Sequence, residues 1–176
     1  MSCITEILKL KGDKPFYPVI DAVDGKPWVV IEGGGTYKEH EYLIVLNQMG
    51  QRCGYVALHP LHPANKVGGC PDEFGEFGYD RLDISCHNGL TFGGKQHHLK
   101  DLLSTPCDDS WIGFDCGHYG DACDFEALNK YYGKDERSTS RQENLELLSE
   151  HGTIKSFEFA GTECQSIIDQ LVEQAA

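Results

Sequence analysis

The sequence predicts an α+β domain: a mainly antiparallel sheet with long loops, packed by C-terminal amphipathic helices. Three observations lead there. β-branched and aromatic runs gather in the first half, Pro- and Gly-rich stretches interrupt them, and the apolar period becomes helical after Asp121. The 176 residues suit one domain spanning 1–176, because a chain of this size buries about 70% of its unfolded surface without covalent staples.

The first forty residues alternate short apolar runs with Pro15, Pro18 and Pro27, and a strand is expected over Trp28 to Glu32. The Gly33-Gly34-Gly35 triplet lacks the Gly-Lys-Ser/Thr ending of a phosphate loop and reads as a flexible turn. Tyr42 to Leu46 and Cys53 to Leu58, joined by the polar residues 47–52, suit an antiparallel pair. Residues 59–80 carry Pro60, Pro63, Pro71 and several glycines, and read as a long surface loop. His59 and His62 lie in that loop, where the prolines favour a turn over a metal site.

Arg81 to Cys86 reads as a strand with Leu82, Ile84 and Cys86 on one face and Asp83, Ser85 and His87 on the other. By the same parity, Ile112, Phe114 and Cys116 share a face opposite Trp111 and Asp115. Neighbouring strands would bring His87 to Asp115. Ser140-Arg141-Gln142-Glu143 has capping-box spacing for a helix that Gly152 stops. Cys164, Ile167, Ile168, Leu171, Val172 and Ala175 form the apolar stripe of a closing helix.

Fifteen Lys and Arg against 28 Asp and Glu give a formal charge of −13, which repels phosphate backbones and argues against nucleic-acid binding. A decoy surface for a DNA-binding partner is the alternative use of such acidity, though its carboxylates would be clustered more densely. No run reaches the roughly 18 apolar residues of a membrane helix, and the N-terminus has no basic segment leading an apolar one. A cytoplasmic location with reduced thiols is therefore expected, and the eight cysteines include no C-x-x-C pair to hold a structural zinc.

Chemistry-bearing residues concentrate at His87, Asp115, Cys116, His118 and Asp121, interleaved with Gly89, Gly113, Gly117 and Gly120. Imidazoles and carboxylates are what a divalent metal such as zinc accepts, and two His with one or two Asp leave a position for water. His87, Asp115, His118 and Asp121 are thus the candidate ligands. Cys116 with His87 or His118 as base is a second chemistry, opposed by its place on the apolar face. Asp115 has a structural alternative as the orienter of a histidine or of the turn. Trp111, Tyr119 and Phe92 either stack on a planar ligand or pack in the core. His97 and His98 read as solvated residues or as part of a lid.

Three segments together resemble an uncharacterised family of small bacteriophage and prophage proteins: Cys53-Gly54-Tyr55-Val56 with His62-Pro63, Cys86-His87-Asn88-Gly89-Leu90-Thr91-Phe92, and Trp111 through Asp121. The last motif, Trp-x-Gly-Phe-Asp-Cys-x-His-x-Gly-Asp, is the most specific, and Asn88 departs from a family Gly. The resemblance implies a bacterial host cell and marks His87, Asp115, Cys116, His118 and Asp121 as the positions to test. It supplies no activity. Two functions follow as expectations: a small metal-assisted hydrolase or nucleotide-processing protein, or a non-catalytic protein that captures a host factor or small signalling molecule as a host-defence antagonist.

Overall fold

The computed structural model describes residues 29–58, 61–64, 79, 82–94, 110–132 and 151–175. Its class is α+β. Five antiparallel strands form one sheet: β1 (Val29–Tyr37), β2 (His40–Asn47), β3 (Arg52–Leu58), β4 (Phe92–Gly94) and β5 (Ser110–Asp115), in the order β1-β2-β3-β5-β4. A parallel pair, β6 (Asp121–Ala122) and β7 (Thr153–Ile154), stands apart, with helix α1 (Phe125–Tyr132) after β6 and α2 (Phe157–Ala175) after β7. The capping box at Ser140, His97 and His98, His59 and most of the 59–80 loop lie outside the described residues.

Strand parity decides the core. Ile44, Val56, Leu58, Ile112 and Phe114 point to one face and meet Ala160, Cys164, Ile167, Ile168 and Leu171 of α2. Alternate residues Leu43, Val45, Cys53, Ala57 and Trp111 are buried on the opposite face with Ile31. The helical stripe therefore closes one side of the sheet as its spacing predicts, each fully buried Ile or Leu contributing about 1.5–3 kcal/mol. Gly54 sits beneath α2 because a Cβ there would meet the Phe114 ring and, at 2.7 Å, the Cys164 sulfur.

The glycine triplet is strand, not turn. Gly33, Gly34 and Gly35 pair with Ile44, Leu43 and Tyr42, after a register shift between Ile31 and Gly33. A Cβ at Gly34 would strike the Tyr42 carbonyl oxygen, and one at Gly33 would meet the Phe157 ring at 2.8 Å, so close approach explains the composition that sequence reasoning assigned to flexibility. The β1–β2 turn itself is made by Lys38 and Glu39, both left-handed at φ 45° and 66°. Each carries the Cβ clash that Asn or Gly relieves in such two-residue turns.

Arg52 ties the sheet to the second half of the chain. Its guanidinium, 6% exposed, donates from Nε to Glu32 Oε2 (2.7 Å), from Nη2 to Glu32 Oε1 (3.1 Å), and from Nη1 to both Asp124 Oδ2 (2.7 Å) and the Lys155 carbonyl (2.9 Å). Asp124 uses its other oxygen to cap α1, accepting from the Ala127 N–H at 2.9 Å. One cation thus fixes β1, β3, the start of α1 and the residue before the Ser156 cap of α2. Arg52→Met is expected to cost about 3–5 kcal/mol in urea unfolding, since it leaves two buried carboxylates uncompensated; a loss below about 1 kcal/mol would contradict this. Glu39→Gly is expected to raise stability by about 1 kcal/mol in the same assay by relieving the turn.

Candidate functional site

The extended segment 82–86 belongs to neither sheet. Leu82 and Ile84 are buried as the alternation predicts, but the backbone of the alternate residues Asp83 and Ser85 is held by α2 rather than by a strand. Gln170 accepts from the Ser85 N–H (2.8 Å) and donates to the Ser85 carbonyl (2.7 Å), while Gln174 donates to the Asp83 carbonyl (2.6 Å). Glu163 continues the ladder by accepting the His87 N–H at 2.7 Å. Three side chains of one helix face replace the rungs that a neighbouring strand would supply.

A turn then aims His87. The Gly89 N–H donates to the Cys86 carbonyl at 3.0 Å, with Asn88 left-handed at φ 52° and Gly89 at φ 88°. Asn tolerates that conformation better than any residue but Gly, so Asn88 suits the turn. The His87 ring packs edge-on against Phe159, centroids 5.4 Å apart, and against the His118 ring at 6.1 Å.

His87 does not meet Asp115, because β5 has β3 and β4 as its neighbours and segment 82–86 lies outside the sheet. Its carboxylate partner is Asp121. His87 Nε2 lies 2.8 Å from Asp121 Oδ2 and 3.0 Å from Oδ1, with the Asn88 amide nitrogen 3.1 Å from the same ring atom. Asp121 is 2% exposed and also accepts the His118 N–H at 3.1 Å, with Lys155 Nζ 3.6 Å from Oδ1. Burial alone would push this carboxyl up; the His87 ring, the His118 N–H and Lys155 outweigh it and hold the carboxyl below its ordinary value.

The 118–121 turn brings His118 to the same carboxylate. The Asp121 N–H donates to the His118 carbonyl at 2.9 Å, around Gly120 at φ 91°, and Asp121 pairs with Thr153 of β7. Gly152 is required there by proximity, since a Cβ would stand 2.7 Å from the Asp121 backbone. His118 Nδ1 is buried, has no hydrogen-bond partner among the described residues, and faces Asp115 Oδ1 at 3.7 Å and Asp121 Oδ2 at 3.9 Å.

His87, His118 and Asp121 therefore offer one donor atom each within 4.8 Å of one another. Asp115 stands outside this trio. Its Oδ1 accepts the Gly117 N–H at 2.9 Å, the turn-orienting role that its strand-end position allows. Comparisons with protein-family models, curated proteins and solved structures return no match. The site's chemistry must be read from its own geometry.

Cys116 is a core thiol. It is 2% exposed among Ile112, Phe114 and α2, and burial, then Asp121, Cys53 and Asp115, push it up to about 12 against the opposing pull of Lys155. No thiolate forms there near neutral pH. Trp111 and Phe92 pack on the opposite sheet face, so of the three candidate stacking rings only Tyr119, fully exposed at the turn, adjoins the trio. Lys155, Glu163 and Phe159 carry no signal of their own in the sequence; Lys155 just precedes α2 and the other two lie in its first two turns, where the apolar stripe carries the stronger signal. Native protein at pH 8 is expected to leave Cys116 unmodified by iodoacetamide over an hour in which unfolded protein reacts fully. Rapid labelling of Cys116, read by peptide mass, would contradict the burial described.

Proposed function

We propose that the protein binds a divalent transition metal at His87 Nε2, His118 Nδ1 and Asp121 Oδ2 and uses it to activate water for hydrolysis of a small molecule. The observation that carries this reading is the donor arrangement around the buried His118 Nδ1, which has no hydrogen bond among the described residues. Ligands about 2.0–2.1 Å from a tetrahedral ion sit about 3.3 Å apart. The carboxylate-to-imidazole separations of 2.8 and 3.9 Å bracket that value, and with all three donor atoms within 4.8 Å of one another, ring rotations that draw the two imidazoles together would close the set. Two His and one carboxylate leave a coordination position open, where a bound water loses its proton near neutral pH.

The residues around the trio have roles in this reading. Glu163 and the Asn88 turn orient His87, as partners outside the ligand set do at metal sites. Asp115, half-exposed with its Oδ1 3.7 Å from His118 Nδ1, would be the carboxylate that takes the proton from water on such an ion. A setting in a bacterial host cell, which the resemblance of the 86–92 and 111–121 motifs to phage proteins implies, and a nucleotide or similar metabolite as substrate are part of the same proposal. A second reading, a non-catalytic binding protein, is favoured by one observation: Lys155 already gives Asp121 a counter-charge, so the cluster can stand as scaffold.

Protein purified without chelators and dialysed against zinc is expected to hold about one ion per chain by elemental analysis, as a three-residue site implies. His118→Ala, which removes a partly exposed ring from a turn, is expected to lose that ion while keeping its circular dichroism spectrum, and to lose turnover of any substrate found in a nucleotide and phosphoester panel. Zinc content unchanged in His118→Ala would contradict the assignment. Metal-independent capture of a host protein would favour the binding reading.

A further inference from the structure

We infer that Lys155 is the resident counter-ion of Asp121 and makes the metal exchangeable: its ammonium balances the buried carboxylate when no ion is bound and opposes the ion when one is. This rests on the metal reading above and adds the residue that sets how tightly the site holds its ion.

The two oxygens of Asp121 share His87 and differ in their second neighbour. Oδ2 lies 2.8 Å from His87 Nε2 and 3.9 Å from His118 Nδ1, whereas Oδ1 lies 3.0 Å from His87 Nε2 and 3.6 Å from Lys155 Nζ. An ion held between the imidazoles and Oδ2 would therefore share with the ammonium one carboxylate that is 2% exposed, where screening by water is weak. Other carboxylates do not relieve the contest. Asp115 is engaged with Gly117 and faces His118, and Glu163 accepts from the His87 backbone.

Lys155 is held in place rather than loose at the surface. Its carbonyl accepts from Arg52 Nη1 at 2.9 Å, its ammonium lies 5.2 Å from the centre of the Phe159 ring, and β7 brings it in two residues after Thr153, the backbone partner of Asp121. Phe159 also packs against His87, so the same ring backs both the imidazole that would bind the ion and the ammonium that would oppose it.

The consequence separates this site from a structural zinc. A structural site leaves its ligands uncompensated when the metal leaves, and the domain unfolds. Here Asp121 keeps a positive partner, so the fold does not depend on the ion, and the ion binds only when its bonds to two imidazoles outweigh repulsion by the ammonium.

The test is cobalt(II) titration, followed by visible absorption, of the wild-type chain, Lys155→Met and Lys155→Arg, with urea unfolding of each before and after chelation. Lys155→Met is expected to bind Co²⁺ at least about tenfold more tightly than the wild type, because a like charge within the site has been removed. Lys155→Arg is expected to bind as the wild type does, and chelated wild type is expected to remain folded. Wild-type binding with equal or weaker binding by Lys155→Met would overturn the role of Lys155 and leave the metal reading standing; so would tightening by the Arg variant as large as that by Met. Unfolding of the wild type on chelation would overturn exchangeability. Absence of Co²⁺ binding by all three proteins would overturn the metal reading and this inference together.

Discussion

The carboxylate of Asp121 is the constraint on which the second half of this structure depends. A charge that is 2% exposed must find partners inside the protein, and those partners come from three separate stretches of chain. His87 arrives from the extended segment along α2, His118 from the preceding turn, and Lys155 from the link between β7 and α2. The β6–β7 ladder and Arg52 hold the 118–124 and 153–155 stretches together, Glu163 holds the His87 backbone to α2, and the carboxylate joins the side chains of all three at one point. The site and the local fold are therefore the same object: whatever orders Asp121 also orders the donors around it.

Arg52 supplies the rigidity that this meeting needs. It joins Glu32 of β1 to Asp124, three residues beyond Asp121, and to the carbonyl of Lys155 itself. The anion at Asp121 and the cation at Arg52 are two ends of one arrangement, linked through residues 121–124 and 155. A buried ion network of this kind contributes more to choosing one conformation than to raw stability, because desolvation offsets most of its Coulomb attraction. At a functional site that is the useful property, since donor atoms need to be held within a few tenths of an ångström.

Much of the fold was legible because strand and helix periods leave a direct trace in apolar spacing. The β2–β3 pair, the face shared by Ile112, Phe114 and Cys116, and the stripe of α2 all follow from it. Two elements were misread for the same physical reason, that a backbone's partner need not be a strand and a glycine need not be a turn. Segment 82–86 has strand alternation but takes its hydrogen bonds from Gln170 and Gln174, and the glycine triplet is strand because Tyr42 and Phe157 leave no room for a Cβ. The candidate residues clustered in sequence do gather in space at His87, His118 and Asp121. Pairing His87 with Asp121 rather than Asp115 was beyond parity, which orders side chains within one sheet and says nothing of a turn outside it. Lys155 was equally hidden, being one lysine among several until β7 places it beside Asp121.

The most direct measurement is a crystal grown with saturating cobalt or zinc and recorded at the metal's absorption edge. The account places one anomalous peak about 2.0–2.2 Å from His87 Nε2, His118 Nδ1 and an oxygen of Asp121. A peak elsewhere on the chain, or none near Asp121, would contradict it.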